Sequence, residues 1–266
     1  MNQRWTQRVD SYRPAGEVIV TAEYDVAEIS DRVSKAFVVE HHYSREYPAG
    51  RFDFGLFRRG RLVGVAVFSV PMNAKTITNI FPGNPRDGAE LGRFVLLDEV
   101  PGNGETFFLA RAFELLREKE IRGVVSFSDP QPRRSADGRL VLPGHVGTIY
   151  QAFNGVYLGR STARIQRLLP DGTVFSDRAA SKVRNLERNW RGPVEKLLRF
   201  GADPFDPADP ATWLREQLDR LTRRVHHAGN HRYAWAVDRR LRSSLETLRA
   251  AAGAEPYPKH RDLEVA

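Results

Sequence analysis

The chain of 266 residues contains no cysteine. Disulfides, thiolate metal sites, iron–sulfur clusters and cysteine nucleophiles are therefore excluded, and a reducing compartment fits. Long apolar runs are also missing: nothing approaches the ~20 residues of a membrane-spanning helix, so no membrane is expected as a partner. The N-terminal stretch Met1–Pro14 is polar and lacks the apolar core of a secretory leader, which makes cytoplasm the default location. What remains is ordinary globular material, 41% hydrophobic and 28% charged. A chain of this length can bury a core without staples, as one domain with a substantial extension or as two small ones.

The charge is neither balanced nor evenly spread. The net charge is +8. Residues 160–200 hold ten Lys/Arg against four acids, and residues 211–250 hold nine Arg against four acids. The C-terminal part is basic and the remainder is slightly acidic. Such asymmetry suits a polyanionic partner, above all nucleic acid, through counterion release; a solvated arginine-rich helical face is the plain alternative.

Patterning gives an α/β (or α+β) order. A strand is expected at 17–24, then a helix from a cap at Asp25 to about His41, with Val26, Ile29, Val33, Phe37 and Val38 at helical spacing. Two strands flank a hairpin turn at Arg59-Gly60. Further strands are expected at 89–100 and 122–128, with an amphipathic helix at 106–119 between them. A helix at 144–154 and a long strand at 156–169 follow. Beyond Ser176 helical patterns dominate, at about 177–190, 193–200, 210–226 and 235–251. The expected organisation is a mixed central sheet flanked by helices over residues 17–176, followed by a basic helical region, 177–266.

Five constellations could carry chemistry. His42, Tyr43 and Ser44 close the first helix, where an imidazole beside two hydroxyls suits proton transfer; a histidine capping the helix end is the structural alternative. Asp129 falls at the carboxyl end of a core strand, where open α/β sheets place their sites. His145, between Gly144 and Gly147, and Tyr150 follow it. Two histidines and a carboxylate (His42, His145, Asp129) would also suit ferrous iron, although no spacing motif for a metal is present. In the turn Val100–Glu105, Gly102, Asn103 and Gly104 could aim backbone N–H groups at an anion, with Glu105 opening the helix. Arg93 lies inside an apolar strand and needs a phosphate, a substrate carboxylate or a partner such as Glu90 or Asp129. Finally, Arg232, Tyr233 and Trp235 suit a stacking and phosphate-contact surface, or aromatic packing at a helix entry.

Several blocks then resemble one known family. His42-Tyr43-Ser44, the hairpin Phe54–Pro71, Leu91–Asn103, Val124–Pro130, Gly144–Gly159 (GHVGTIYQAFNGVYLG) and His231–Trp235 occur in the order seen in the Mom DNA-modification proteins of Mu-like phages. The resemblance spans about residues 30–235 and is most specific at GHVGTIYQAFN. It implies a GNAT-like acyltransferase fold, in which a central strand splays from its neighbour and the loop after it grips coenzyme A pyrophosphate. It also implies conversion of adenine in double-stranded DNA to N6-carbamoylmethyladenine, protecting phage DNA from restriction. On that view His42, Tyr43, Ser44, Asp129, His145 and Tyr150 line the active cleft. The Val100–Glu105 turn holds a small-molecule donor, acetyl-CoA or an acyl-CoA-like metabolite, and iron dependence remains open. From charge and aromatic content, apart from the resemblance, Arg93, Arg160, Arg164, Lys182, Arg184, Arg188, Arg232 and Tyr233 are expected to contact DNA, with Tyr43, Tyr47, Tyr150 and Phe153 available for stacking. The rival readings are a conventional N-acetyltransferase acting on a small amine, peptide or RNA, and a non-catalytic DNA-binding antirestriction protein. All readings of a site require the end of the first helix, the strand tip at Asp129 and the Gly144–Gly147 turn to meet in one crevice.

Overall fold

The computed structural model describes residues 2–6, 9–13 and 17–259. Parts of the polar stretch Met1–Pro14, and residues 260–266 of the expected C-terminal region, lie outside the described residues. In chain order the elements are β1 (Asn2–Thr6), β2 (Val9–Arg13), β3 (Tyr24–Glu28), α1 (Asp31–His41), β4 (Gly50–Arg58), β5 (Arg61–Ser69), α2 (Lys75–Thr78), β6 (Gly88–Leu96), α3 (Gly104–Glu118) and β7 (Gly123–Ser128). They continue as β8 (Arg133–Arg134), β9 (Leu140–Leu142), α4 (Thr148–Ala152), β10 (Val156–Arg160), β11 (Arg164–Leu168), α5 (Asp177–Arg184), α6 (Arg191–Arg199), α7 (Pro210–Leu221), β12 (Arg223–His227), β13 (His231–Ala236) and α8 (Arg242–Ala251).

These elements form two compact units. Of the described residues, the first comprises those up to Pro130, His145–Arg160 and 230–259; the second comprises Gln131–Gly144 and Ser161–Gly229. The division expected at residue 176 falls inside the second unit. The region 177–266, expected to be helical, contains two strands, β12 and β13, and β13 lies within the first unit's sheet.

That sheet has seven strands in the order β10-β13-β7-β6-β5-β4-β3. Only β6 and β7 run parallel, joined by the crossover helix α3. Alternation along β5 separates the two faces: Ala66 and Phe68 pack with Phe108, Leu109 and Leu116 of α3, while Val65 and Val67 pack with Phe37 and Val38 of α1. The expected α/β class, a mixed sheet flanked by helices, is what the chain adopts.

Three other expectations shift for local reasons. The first strand begins at Tyr24 rather than Glu17, because residues 21–23 form a 3₁₀ turn. The helix after it is capped by Ser30, whose hydroxyl accepts from Val33 N, and not by Asp25, which pairs with Phe57 in the sheet. The strand expected at 156–169 is two strands, β10 and β11, which pair with β13 and β12 in turn. The hairpin at Arg59-Gly60 forms as expected, with positive φ at both turn residues.

The second unit has its own core, in which Val183, Val194, Leu197, Trp213, Leu214 and Leu218 pack helices α5, α6 and α7 together. Antiparallel pairs β11–β12 and β8–β9 complete it. No helix among the described residues is long and apolar enough to cross a membrane.

Candidate active site

The parallel ladder between β6 and β7 covers three residue pairs, Gly88–Gly123, Ala89–Val124 and Glu90–Val125, although β6 continues to Leu96 and β7 to Ser128. Beyond Glu90 the strands part. The Ser126 hydroxyl donates to the Leu91 carbonyl at 2.9 Å, satisfying an acceptor that the ladder no longer reaches. On its other edge β6 carries a bulge. Val67 faces Arg93 and Phe68 faces Leu91, so Gly92 is the extra residue. A Cβ at Gly92 would come within 2.5 Å of Ser69 Oγ. The bulge resets the alternation and sends Glu90 and Arg93 to the same side.

Three segments converge at this opening. The chain leaving α1 carries His42, Tyr43 and Ser44. The tip of β7 leads to Asp129, whose carbonyl accepts the His145 N–H at 2.7 Å and so anchors the Gly144–Gly147 turn. Tyr43 Oη lies 3.2 Å from His145 Nε2, which joins the first and third segments directly. Tyr43 also stacks on His42, with ring centroids 4.1 Å apart, and Tyr150 stands edge-on to His145 at 6.3 Å. His42 is buried, whereas Tyr43, Ser44, Asp129, His145 and Tyr150 are each partly exposed. The sequence-predicted cluster is therefore brought together with its outer members within reach of solvent.

The electrostatics of the cluster follow from burial and from Arg93. Burial holds the His42 imidazole well below its ordinary pKa, helped by the positive charge of Arg93 and by the neighbouring His145 imidazole. Its Nδ1 accepts the Ser44 backbone N–H at 3.1 Å and lies 2.8 Å from Ser44 Oγ. An amide can only donate, so His42 is the neutral tautomer protonated on Nε2. Desolvation raises the Glu90 carboxyl above the usual range, opposed by Arg93. Burial likewise raises the Tyr150 hydroxyl, opposed by hydrogen bonding with Ser126 and by Arg93. From sequence, Glu90 stands out only as a partner for Arg93. An acid inside the apolar strand 88–96 is the available signal, and nothing local reveals its place at the parting of the strands.

Other predicted residues take different roles. Arg93 donates from Nε to the Glu46 carbonyl at 2.8 Å and from Nη1 to the Gly92 carbonyl at 2.6 Å, so it ties the loop after α1 to the bulged strand. Tyr233 is fully buried; its hydroxyl donates to the Val146 carbonyl at 2.5 Å, and its ring packs among Tyr150, Tyr157 and Tyr257. It cannot offer a face to nucleic acid. Tyr47 is held by Asp53 at 2.9 Å, and Phe153 packs on Phe113 and Trp235, so neither is a stacking platform. Arg232 donates to the Leu158 carbonyl within the sheet. Arg160 ends β10 partly exposed, and Arg164, Arg184 and Arg188 in the second unit are exposed, with Lys182 partly so.

The Val100–Glu105 turn does not fit a diphosphate in the way its glycines suggest. Gly102 N–H donates to the Glu17 carbonyl at 2.8 Å, its carbonyl accepts Ile19 N–H at 2.9 Å, and Gly104 N–H donates to the Pro101 carbonyl. Asn103 takes the left-handed conformation at the cap of α3. A Cβ at Gly104 would meet Val100 at 2.4 Å, so that glycine serves packing. The buried Glu105 carboxylate occupies the first turn of α3, where the helix dipole would otherwise favour a phosphate. Iron finds no better fit: among the described residues no three His, Asp or Glu side chains are grouped to hold a metal.

The model of the Mom protein family matches residues 23–259. The chain belongs to the Mom protein family. No curated protein matches it. Among solved structures it is similar in outline to an N-acetyltransferase from Staphylococcus aureus Mu50, at 9% identity and a TM-score of 0.36, covering 81% of this chain and 99% of that one. A tandem GNAT protein from the clavulanic acid biosynthesis pathway gives 15% identity and a TM-score of 0.35, covering 80% and 70%. A probable acetyltransferase from Staphylococcus epidermidis ATCC 12228 gives 10% and 0.33, covering 54% and 87%. In this Mom-family chain the end of α1, the tip of β7 and the Gly144–Gly147 turn meet where β6 and β7 part.

Proposed function

We propose that this Mom-family chain is a transferase that modifies the N6 amine of adenine in double-stranded DNA, adding a carbamoylmethyl group that shields the DNA from restriction. The observation that carries the reading is the Tyr43–His145 contact at 3.2 Å, with neutral His42 stacked behind it and Asp129 anchoring the turn from the strand tip.

The chemistry explains why such a cluster is needed. The N6 lone pair of adenine is delocalised into the ring, so the amine attacks a carbon centre only if its proton is removed as the bond forms. The amine also points into the duplex, and the base must be flipped out to reach a pocket. In the proposed step N6 forms a bond to the transferred carbon. The bond from that carbon to its carrier breaks, and the carrier leaves with the electron pair. His145 accepts the N6 proton, Tyr43 orients its Nε2, and the carboxylate of Glu90 is a second acceptor in the same opening. Tyr150 borders the base.

The donor is a small molecule delivering an activated carbon. Attack of N6 on the thioester carbonyl of an acyl-CoA would give an N6-acyl adenine and not a carbamoylmethyl group, and the diphosphate of such a donor would have to be held by groups other than Gly102 and Gly104, whose N–H groups are already engaged. No step is drawn through iron.

The test is mass spectrometry of nucleosides from DNA of cells expressing the protein. A heavier deoxyadenosine is expected, and it disappears with His145→Ala. Unmodified DNA under good expression, or acetylation of free amines without any DNA requirement, would remove this reading.

A further inference from the structure

Within the second unit, β11 and β12 form a two-stranded antiparallel ribbon whose register runs from Arg164–His227 to Leu168–Arg223. Its ten residues include four arginines and two histidines and no Asp or Glu. Period-two alternation divides them. Gln166, Leu168 and His227 are buried on the inward face. Ile165, Arg167, Arg224 and His226 share the outward face, while Arg164 and Arg223, opposite His227 and Leu168, fall on the inward side at the two ends of the ribbon, where both remain exposed. Arg167 is bound to Asp219 at 2.8 Å and to Thr222, and so is held in place. Arg224 and His226 are exposed, and Ile165 is 46% exposed among these cations. A β-branched residue left in solvent on a cationic ribbon serves no core.

The corners of the ribbon matter as much as its face. Arg164 and Arg223 are exposed at opposite ends and on opposite strands. Four residue steps at ~3.3 Å separate those ends by ~13 Å, close to the ~12 Å width of the B-DNA major groove. The β8–β9 hairpin lies alongside, tied by Gln131 Nε2 to the His226 carbonyl at 3.1 Å and by Ala136 N to the Pro170 carbonyl at 2.7 Å. It adds the exposed Arg134 and Arg139.

We propose that the outward face of the β11–β12 ribbon seats in the major groove of duplex DNA, with Ile165 and His226 at base edges, Arg224 on a phosphate, and the long exposed side chains of Arg164 and Arg223 reaching phosphates around the two ends of the ribbon. This rests on DNA being the substrate of the site at the β6–β7 splay. A major groove admits a two-stranded ribbon in B-form DNA, whereas that of A-form RNA is too narrow to be read by side chains. The helical core of the second unit supplies the platform, and an aliphatic side chain between guanidinium groups matches the thymine methyl between phosphate rows.

The test is fluorescence anisotropy of the full chain with a duplex of about 20 base pairs over a range of salt. Each phosphate contact removed lowers the slope of log affinity against log salt by about 0.9. Arg223→Ala/Arg224→Ala is expected to weaken binding by roughly tenfold or more and to reduce the slope by nearly two. Arg164→Ala provides a second variant should the double substitution reduce folding. Arg199→Ala, on α6, is expected to bind like the unaltered chain. Ile165→Ala/His226→Ala is expected to keep the slope and to relax the sequence context of the sites bound. Unchanged affinity and slope in both arginine variants would overturn the ribbon assignment, as would equal or tighter binding of an RNA duplex. If the ribbon variants lose DNA binding while the nucleosides of expressing cells stay unmodified, the ribbon stands and the base-modification reading fails. Modified DNA with ribbon-independent binding sinks the ribbon and leaves base modification in place.

Discussion

Tyr43 and His145 are 102 positions apart in the chain, and the Tyr43 hydroxyl lies 3.2 Å from His145 Nε2. If His145 accepts the substrate proton, His145→Ala should lower the rate of deoxyadenosine modification by about 10²–10⁴-fold. Tyr43→Phe should cost less, about tenfold, because it removes only an orienting hydroxyl. The double variant should be no slower than His145→Ala alone, since both act through one group. Both side chains are partly exposed, so melting temperatures should stay close to that of the unaltered chain. Additive losses in a rate assay would show that the two residues act separately.

A histidine whose folded pKa is depressed carries a definite pH signature. The ordinary value is 6.5, and burial with Arg93 and His145 holds His42 well below it. Between the folded and the ordinary value the unfolded chain binds a proton that the folded chain refuses. The contribution of His42 to stability is thus fully present above pH 6.5 and is lost as the pH falls towards the folded value. His42→Asn keeps an acceptor for the Ser44 N–H and removes the titration. Melting curves should show the unaltered chain losing stability faster than His42→Asn as the pH drops below 6.5. Parallel curves would mean that His42 titrates normally.

Gly147 separates the two requirements of the histidine-bearing turn, direction and space. Its φ is +75° at the cap of α4, and a Cβ there would approach Tyr150 Cδ2 at 2.7 Å and Tyr233 Cε2 at 2.8 Å. Gly147→Ala should destabilise the chain by about 2 kcal/mol or more, from the left-handed backbone and from contact with two packed rings. Because the same turn carries His145 and leads into Tyr150, modification should fall as well. Differential scanning calorimetry with a rate assay checks both; an unchanged transition would place the turn outside the packed site.

Parts of this arrangement are legible in the sequence because local rules govern them. The Arg59-Gly60 hairpin, the end of α1 at His41 and the strand tip before Asp129 each follow from a turn dipeptide or a break in periodicity. β13 is not legible. Its partners on β7, such as Ser126 for Tyr233 and Val124 for Trp235, lie more than a hundred residues away and those on β10 more than seventy, and an arginine-rich setting reads as helix. The burial of Tyr233 and the retreat of Tyr47 and Phe153 into packing follow from the same non-local contacts. The Gly102–Gly104 turn misleads for another reason: glycine spacing signals a tight backbone, and packing on Val100 needs that as much as a phosphate does.

Glu90 owes its place to the bulge at Gly92, which no local pattern announces, and it offers the sharpest separation of function from stability. Desolvation raises its carboxyl above the ordinary 4.5, with Arg93 opposing. A raised carboxyl contributes stability below its unfolded pKa and loses that contribution as the pH rises through the folded value. At neutral pH its ionised form is therefore a cost to the fold, borne beside the splayed strands. Glu90→Gln should raise the melting temperature at pH 7, with the gain shrinking as the pH is lowered towards 4.5. If the carboxylate is a proton acceptor, the same change should reduce modification by about 10²-fold and abolish the acid limb of the pH–rate profile that tracks its ionisation. A variant both more stable and fully active would leave Glu90 as a half-buried acid with no part in the reaction, and one both less stable and inactive would mean that the carboxylate holds the splay open. Only the combination of higher stability and lower activity fits a charge kept at the opening for chemistry.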